Sequence, residues 1–247
     1  MRAGVGPTCG CFPTGGPWPG LAQLGAAGAT GLVAEFEPDT PFRDLPLAVI
    51  DVETTGLDPA ADRVVEVAVV PVDRGVVGEG RGWLVNPGRA VPAESLAVHG
   101  LTDAELATAP SFAAIAAEIA AAIGGRVPVA YNADFDRLFL AVEFDRAGLQ
   151  RPTALRRGVE WVDPLVWARV AQRAERGHKL ADVAARLGVE VGTSHRAVHD
   201  ARTAAAVLLS LADVFPPTYI QMVRHQKDFA ARQDEEASAR AAARTVR

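Results

Sequence analysis

Cysteine is almost absent from this chain: of 247 residues, only Cys9 and Cys11 carry a thiol. Two thiols cannot build a disulfide framework, and such sparing use favours a reducing compartment. No apolar run reaches 18 residues, and Gly and Pro interrupt the N-terminus, so neither a spanning helix nor a signal-peptide core is expected. Positive charge is also short. With 25 Lys plus Arg against 30 Asp plus Glu, the net charge is −5 and the pI near 5.6, so the overall field would not draw the chain to nucleic acid or to an anionic membrane. No internal repeat is present. What remains is ordinary globular usage, 49% hydrophobic and 22% charged, with length for one domain plus extensions or for two small domains. A soluble cytoplasmic protein without membrane association is the expectation.

Three zones follow from the composition. Residues 1–44 contain 15 Gly plus Pro, about a third of the segment, and no periodicity. Such a stretch cannot bury enough apolar surface to fold, so it reads as a disordered leader. Its Cys9-x-Cys11 pair has no neighbouring residues to complete a metal site. Residues 45–214 form the dense zone. Strands are expected at Leu47–Glu53, Arg63–Val72 and Glu79–Val85, the last two joined by a turn at "DRGVV". Ser111 should cap a helix whose Phe112, Ile115 and Ile119 share one face and which Gly124 and Gly125 end. A short strand at 127–131, a helix at 134–147 and an extended piece at 159–163 come next, then helices near 164–174, 179–187 and 197–214. Consecutive strands followed by alternating helices and strands give an α/β fold, a mixed β-sheet flanked by helices. Residues 215–247 read as a solvated polar helix; from Arg224 on they carry six Lys/Arg against four Asp/Glu.

The chemistry starts at "AVIDVETTGLDP", residues 48–59. An unbroken apolar run leads into Asp51 and Glu53, as in a strand buried on both faces. Side chains alternate along a strand, so the two acids share a face while Val52 takes the other. Asp136 lies in the first turn of the helix after "VPVAY", where the helix dipole alone could explain an acid. Asp200 lies beside the stripe Ala197, Ala201, Ala204 and Leu208, poorly placed for a solvated acid. Four carboxylates at strand ends and helix starts of one domain would repel and lose hydration. Hard divalent cations take oxygen ligands, and two of them about 3.5–4 Å apart would neutralise four carboxylates and serve phosphoryl chemistry. Asp51, Glu53, Asp136 and Asp200 are therefore the candidate ligands of two divalent metal ions, Mg2+ or Mn2+.

With these residues in view the chain resembles the DEDDh exonucleases, the DnaQ-like 3′–5′ exonucleases of ribonuclease-H-like fold. Motif one, D-x-E-T-T-G, is complete at Asp51-Val52-Glu53-Thr54-Thr55-Gly56. Motif two, usually H-N-A-x-F-D, appears as Tyr131-Asn132-Ala133-Asp134-Phe135-Asp136, and motif three, H-x-A-x-x-D, as His195-Arg196-Ala197-Val198-His199-Asp200. "VNP" at 85–87 and "VHGLTDAEL" at 98–106 are similar to the family's segment between motifs one and two. The likeness spans residues 45–212. It implies that Asp51, Glu53 and Asp200 hold the ion nearest the attacking water, that Asp51 bridges to the second ion, and that Asp136 reaches that ion directly or through water. It also implies that His195 is the general base, and that Thr54, Thr55, Gly56 and Leu57 line the pocket of the 3′-terminal nucleotide, with Leu57 against its base. Tyr131 departs from the family's His, which puts substrate preference in question. Pro164 stands where a Thr often follows the Asp, and Asp163 reads as a helix cap rather than a ligand.

The resemblance implies 3′–5′ hydrolysis of phosphodiester bonds in nucleic acid, at the 3′ end of DNA or of RNA, with release of nucleoside 5′-monophosphates. Charge does not oppose this, because removing the four acids takes the net charge from −5 to −1. Arg151, Arg156, Arg157, Arg173, Arg176 and Lys179 could meet phosphates, though solubility explains them equally well. Proofreading in association with a polymerase is one alternative, although no glutamine-led apolar clamp-binding motif is seen in the tail. An RNA trimmer is another, and an inactive binding module ranks below both because all five catalytic positions are filled. A zinc hydrolase built on His195 and His199 ranks lowest, since Arg196 stands where H-E-x-x-H chemistry needs Glu.

The two histidines of motif three can be separated. Five residues on a helix turn about 500°, so His195 and Asp200 can meet one water only if His195 precedes the helix or sits in its first turn. His199, adjacent to Asp200, points about 100° away from it. An imidazole with an ordinary pKa of about 6.5 suits a base near neutral pH. His195→Ala should lower kcat by roughly 10²-fold or more with little change in metal affinity, while His199→Ala stays within a few-fold of the parent. The reverse pattern, measured at saturating Mg2+ on one single-stranded substrate, would reassign the base.

Overall fold

The computed structural model describes residues 31–191 and 196–245. Its sheet grows from the apolar run before Asp51. Strand β1 (Leu47–Thr54) pairs antiparallel with β2 (Val64–Asp73), in a register that sets Asp51 against Ala68 and Glu53 against Glu66. The far edge of β2 carries two short strands, β3 (Val76–Val77) and β4 (Arg81–Leu84). A single third strand at 79–85 was expected. Instead the chain pairs first at Val76–Val77, then leaves the ladder at Gly78, whose N–H bonds to the carbonyl of Pro71. Strand β5 (Val127–Val129) joins β1 in parallel and makes the sheet mixed, as expected. The piece at 159–163 contributes only a single parallel bridge, Val162 with Val129.

Two apolar layers cover the sheet, and the period of two along β1 decides which side chain enters which. Leu47 and Val49 face the helices α5 (Pro164–Ala171), α6 (Leu180–Leu187) and α7 (Ala197–Ser210). Ala48, Ile50 and Val52 face α3 (Phe112–Ile123) and α4 (Ala133–Arg146). Asp51 and Glu53 continue the first series and therefore point to the side on which α7 lies. On α7, Ala197, Ala201, Ala204 and Leu208 are buried, as the small-residue stripe implied. Close approach is two-sided here: a Cβ at Gly82 of β4 would meet Val198 at 2.8 Å. On α3 the expected Phe112, Ile115 and Ile119 face is buried, but Ser111 occupies the N-cap position without making a side-chain cap bond.

Two short helices escaped the periodicity, α1 (Ala93–His99) and α2 (Asp103–Ala107). They are too brief to show an amphipathic period. The second starts with a capping box, the Thr102 hydroxyl accepting from the Glu105 N–H and the Glu105 carboxylate from the Thr102 N–H.

The ends of the described chain differ from expectation. Residues 31–44 fall in the segment read as a disordered leader, yet Val33 and Phe42 are buried there. Phe42 packs in the layer that holds Trp167 and the start of α8 (Tyr219–Thr245), and the Val33 N–H donates to the Tyr219 hydroxyl at 3.1 Å. Phe42 meets Phe215 edge-on at 5.5 Å. The remainder of the expected leader, residues 1–30, lies outside the described residues. Helix α8 is not solvated all round either: Tyr219, Met222, Val223 and Gln226 are buried, and Phe229 meets Trp167 edge-on at 5.4 Å. Composition averaged over 33 residues hid an apolar stripe confined to the first three turns. No helix among the described residues is long and apolar enough to cross a membrane.

Removing a buried aromatic leaves a cavity as well as losing its transfer energy. Phe42→Ala should therefore cost about 3–5 kcal/mol of unfolding free energy in a urea titration. A loss under about 1 kcal/mol, the range of ordinary surface changes, would mean that residues 31–44 are not docked.

Candidate active site

Three of the sequence-predicted acids meet at the end of β1. Asp51 and Glu53, two apart on one strand face, and Asp200, in the first turn of α7, offer carboxylate oxygens that all lie within 4.8 Å of one another. Asp136 stands on the opposite layer. Its carboxylate turns back to the sheet and accepts the N–H of Val52 at 2.9 Å, so it is held to the backbone between Asp51 and Glu53 without belonging to that group of three. His195 lies outside the described residues, and α7 begins at Ala197. His199 is exposed on the same helix.

Burial and like charge act together on this cluster. Asp51 is pushed well above the ordinary aspartate value, first by burial, then by Asp136, Glu53, Asp200 and Glu66. Glu53 is raised from 4.5 to about 9, first by burial, then by Asp200, Glu66 and Asp136, with the Arg196 guanidinium pulling the other way. Asp136 is raised by burial, against which the Val52 N–H works. The donor set is all oxygen, compact and anionic, and it fits a hard divalent cation.

Glu66, Arg196 and His99 are neighbours that sequence reasoning missed. Glu66 faces Glu53 across the β1–β2 pair, is almost wholly buried, and grips Arg196 through Nε at 3.0 Å and Nη2 at 2.8 Å. The same carboxylate accepts the Ala197 N–H at 3.1 Å, capping α7 from across the sheet. The signal was present: one acid inside the apolar strand "VVEVAVV" needs a partner. His99 is buried with Nδ1 accepting the Leu101 N–H, and burial lowers its pKa.

The loop after motif one is folded by its own side chains. The Thr54 hydroxyl donates to the Gly56 carbonyl at 2.6 Å, and the Thr55 hydroxyl donates to Asp62 while accepting the Arg63 N–H. A Cβ at Gly56 would lie 2.3 Å from the Asp62 carboxylate, which is why glycine is needed there. Of the four expected pocket residues, Thr55 is thus buried and occupied with the loop, whereas Leu57 stands 43% exposed. Arg146 of α4 fastens the loop through the carbonyls of Pro59, Ala60 and Asp62. Arg63 is held by buried Glu143 with bonds of 2.7 and 3.0 Å.

Motif two is fixed from a different direction. Asn132 adopts φ 67°, a left-handed conformation unusual for a non-glycine residue, and its N–H and that of Ala133 both donate to Asp163 at 3.0 Å. Asp163 also caps α5 through the Leu165 N–H, the role read for it from the sequence. Tyr131 uses its hydroxyl to hold the His178 carbonyl at 2.7 Å, in the connection between α5 and α6.

Comparison with known proteins agrees with this arrangement. A family described as Exonuclease matches residues 48–208. The DNA polymerase III subunit epsilon-like protein of Rhodobacter capsulatus is 36% identical over 193 residues, covering 76% of this chain and 26% of that protein. The 3′-5′ exonuclease DinG of Bacillus subtilis is 28% identical over 186 residues, 73% of this chain and 19% of that protein. The chain thus spans about a quarter or less of the length of these curated relatives. Among solved structures, Exonuclease X in complex with 5′ overhanging duplex DNA superposes with a TM-score of 0.56 at 26% identity, over 73% of this chain and 99% of that one.

The raised carboxylates set a pH dependence with a definite sign. A group whose folded pKa is raised binds more protons folded than unfolded, so its contribution to stability is present at low pH and is lost as pH climbs towards the folded value. In chelator, the melting temperature should fall as pH rises from the ordinary glutamate value of 4.5 towards about 9. Saturating Mg2+ or Mn2+ should raise it and flatten the profile, since an ion that binds only the native state stabilises by mass action. A chelator profile that is flat across this window would contradict the electrostatics.

Proposed function

Because the chain belongs to the exonuclease family, we propose that it is a metal-dependent 3′–5′ exonuclease of DEDDh type, acting on the 3′ ends of DNA in the cytoplasm and releasing nucleoside 5′-monophosphates. The observation that carries this reading is the convergence of Asp51, Glu53 and Asp200 within 4.8 Å, with Asp136 bonded to the backbone between the first two. Two divalent ions bound by these acids would supply a lowered pKa for water and charge stabilisation of the leaving oxygen. Asp51 would help to hold both ions, as the family resemblance implies, and Asp136 would help to hold the second. Leu57 offers an apolar surface for the terminal base beside Thr54, Thr55 and Gly56, whose loop is tied by its own side-chain hydrogen bonds, which would lower the ordering cost of binding. His195, just ahead of α7, would accept the proton of the attacking water.

DNA is favoured over RNA because Exonuclease X, matched over 99% of its own length, has a solved structure in complex with 5′ overhanging duplex DNA. A second reading, proofreading beside a polymerase, is supported by the 36% identical epsilon-like relative.

End-labelled single-stranded DNA, duplex DNA with a mismatched 3′ end and short RNA should be digested side by side. The expected result is stepwise release of 5′-mononucleotides from DNA, abolished by excess chelator and by blocking the 3′ end. Asp51→Asn should lose most of the activity and most of the metal-induced rise in melting temperature. Cleavage that persists in chelator, or that ignores the 3′ block, would overturn the assignment, and faster release from RNA would overturn the choice of DNA.

A further inference from the structure

Helix α8 begins at Tyr219, beyond the segment 48–208 that matches the exonuclease family, and one of its side chains reaches the frame of the site. Gln226 is buried between α8 and α5, and its side-chain amide makes bonds in three directions. Its Oε1 accepts the Asp163 N–H at 2.8 Å and the Trp167 indole N–H at 3.1 Å, and its Nε2 donates to the Trp161 carbonyl at 2.8 Å. The strand-like piece 161–163 is therefore gripped on both sides of Val162, which in turn bonds to Pro128 and Ala130 at the end of β5.

Asp163 passes this constraint on. Its carboxylate holds the N–H groups of Asn132 and Ala133 and keeps Asn132 in its left-handed conformation. A conformation of that kind persists only where its surroundings over-determine it. The turn at Asn132 aims the first turn of α4, and with it Asp136, at the Val52 N–H. We propose that Gln226 is a positioning residue for Asp136, acting through Asp163 and the Asn132 turn, so that the C-terminal helix is a working part of the active site. This inference rests on the exonuclease reading for its catalytic consequence, but metal affinity can test it independently.

Gln226→Met keeps the volume and removes all three bonds. Gln233→Met serves as the control, because Gln233 also ties α8 to α5, through the Val166 carbonyl and Arg169, without touching Asp163. Each variant is assayed well below its own melting temperature. A displacement of about 1 Å can cost 10²-fold in rate, so a fraction of that shift at Asp136 should lower kcat about 10-fold in Gln226→Met. KM for DNA should change less than about 2-fold, because the loop at 54–57 is held by other residues, and Mn2+ affinity by calorimetry should fall several-fold. Gln233→Met should lose stability while keeping kcat and Mn2+ affinity. If Gln226→Met does not fold, Gln226→Asn, which keeps an amide one methylene shorter, should show the same pattern in weaker form.

Loss of stability with unchanged kcat and unchanged Mn2+ affinity in the Gln226 variant would overturn the inference and leave α8 as a strut. If the parent cleaves no nucleic acid but binds Mn2+, and Gln226→Met weakens that binding, the exonuclease reading falls and the inference stands. A parent that neither cleaves nor binds Mn2+ would overturn both.

Discussion

Mutual repulsion among clustered carboxylates is the constraint around which this molecule is arranged. Asp51, Glu53 and Asp200 converge half-buried at one end of β1, with Asp136 bonded to the same strand end, and each raises the cost of ionising its neighbours. No fold would keep such a cluster for stability alone, since isolated buried charge is among the most expensive features a protein can hold. The surroundings reduce the cost without abolishing it. Val52 lends a backbone N–H to Asp136, and Arg196, locked onto Glu66, places a positive charge beside Glu53. The remaining imbalance is what a divalent ion would complete.

Holding the cluster still is a separate problem from neutralising it. Each acid comes from a different element or strand position, and each has its own fastening. The strand register of β1 on β2 sets Asp51 and Glu53. Glu66 caps the start of α7 and so sets Asp200. The turn at Asn132, clamped by Asp163, sets Asp136. Glu143 is another buried charge, paired with Arg63 and Arg146; Arg146 reaches the carbonyls of the loop that carries Leu57, and Arg63 reaches that of Pro87. A buried pair of this kind adds little net stability, so its contribution is better read as conformational definition of that loop. Polar networks, rather than additional apolar packing, define the site.

The periphery contributes to the same end. Residues 31–44 and α8 close over Trp167 and Phe215 with edge-on aromatic contacts, and Gln226 carries the constraint from that outer layer to Asp163. Tyr131 does comparable service for the α5–α6 connection through the His178 carbonyl. Its hydroxyl has a structural partner, which accounts for tyrosine at a position where the resembled family usually has histidine.

Local pattern was enough for much of this. The apolar run into Asp51 and Glu53 determined a buried strand with both acids on one face, because side-chain alternation is a property of the strand itself. The alanine stripe of α7, the apolar face of α3 and the capping role of Asp163 follow from helix geometry and were legible for the same reason. The sequence motifs also singled out the acids, since few functions other than holding cations call for carboxylates beside apolar strands and small-residue helices. Tertiary structure decided what depends on distance across the chain. That Glu66 would cap α7 some 131 residues away, that residues 31–44 would find an apolar stripe on α8, and that Gln226 would reach Asp163 are facts about which surfaces meet in space. Composition averages such stripes away, and α1 and α2 are too short to display a period. Local sequence determines the direction in which a side chain leaves the backbone; only the assembled layers determine what it meets there.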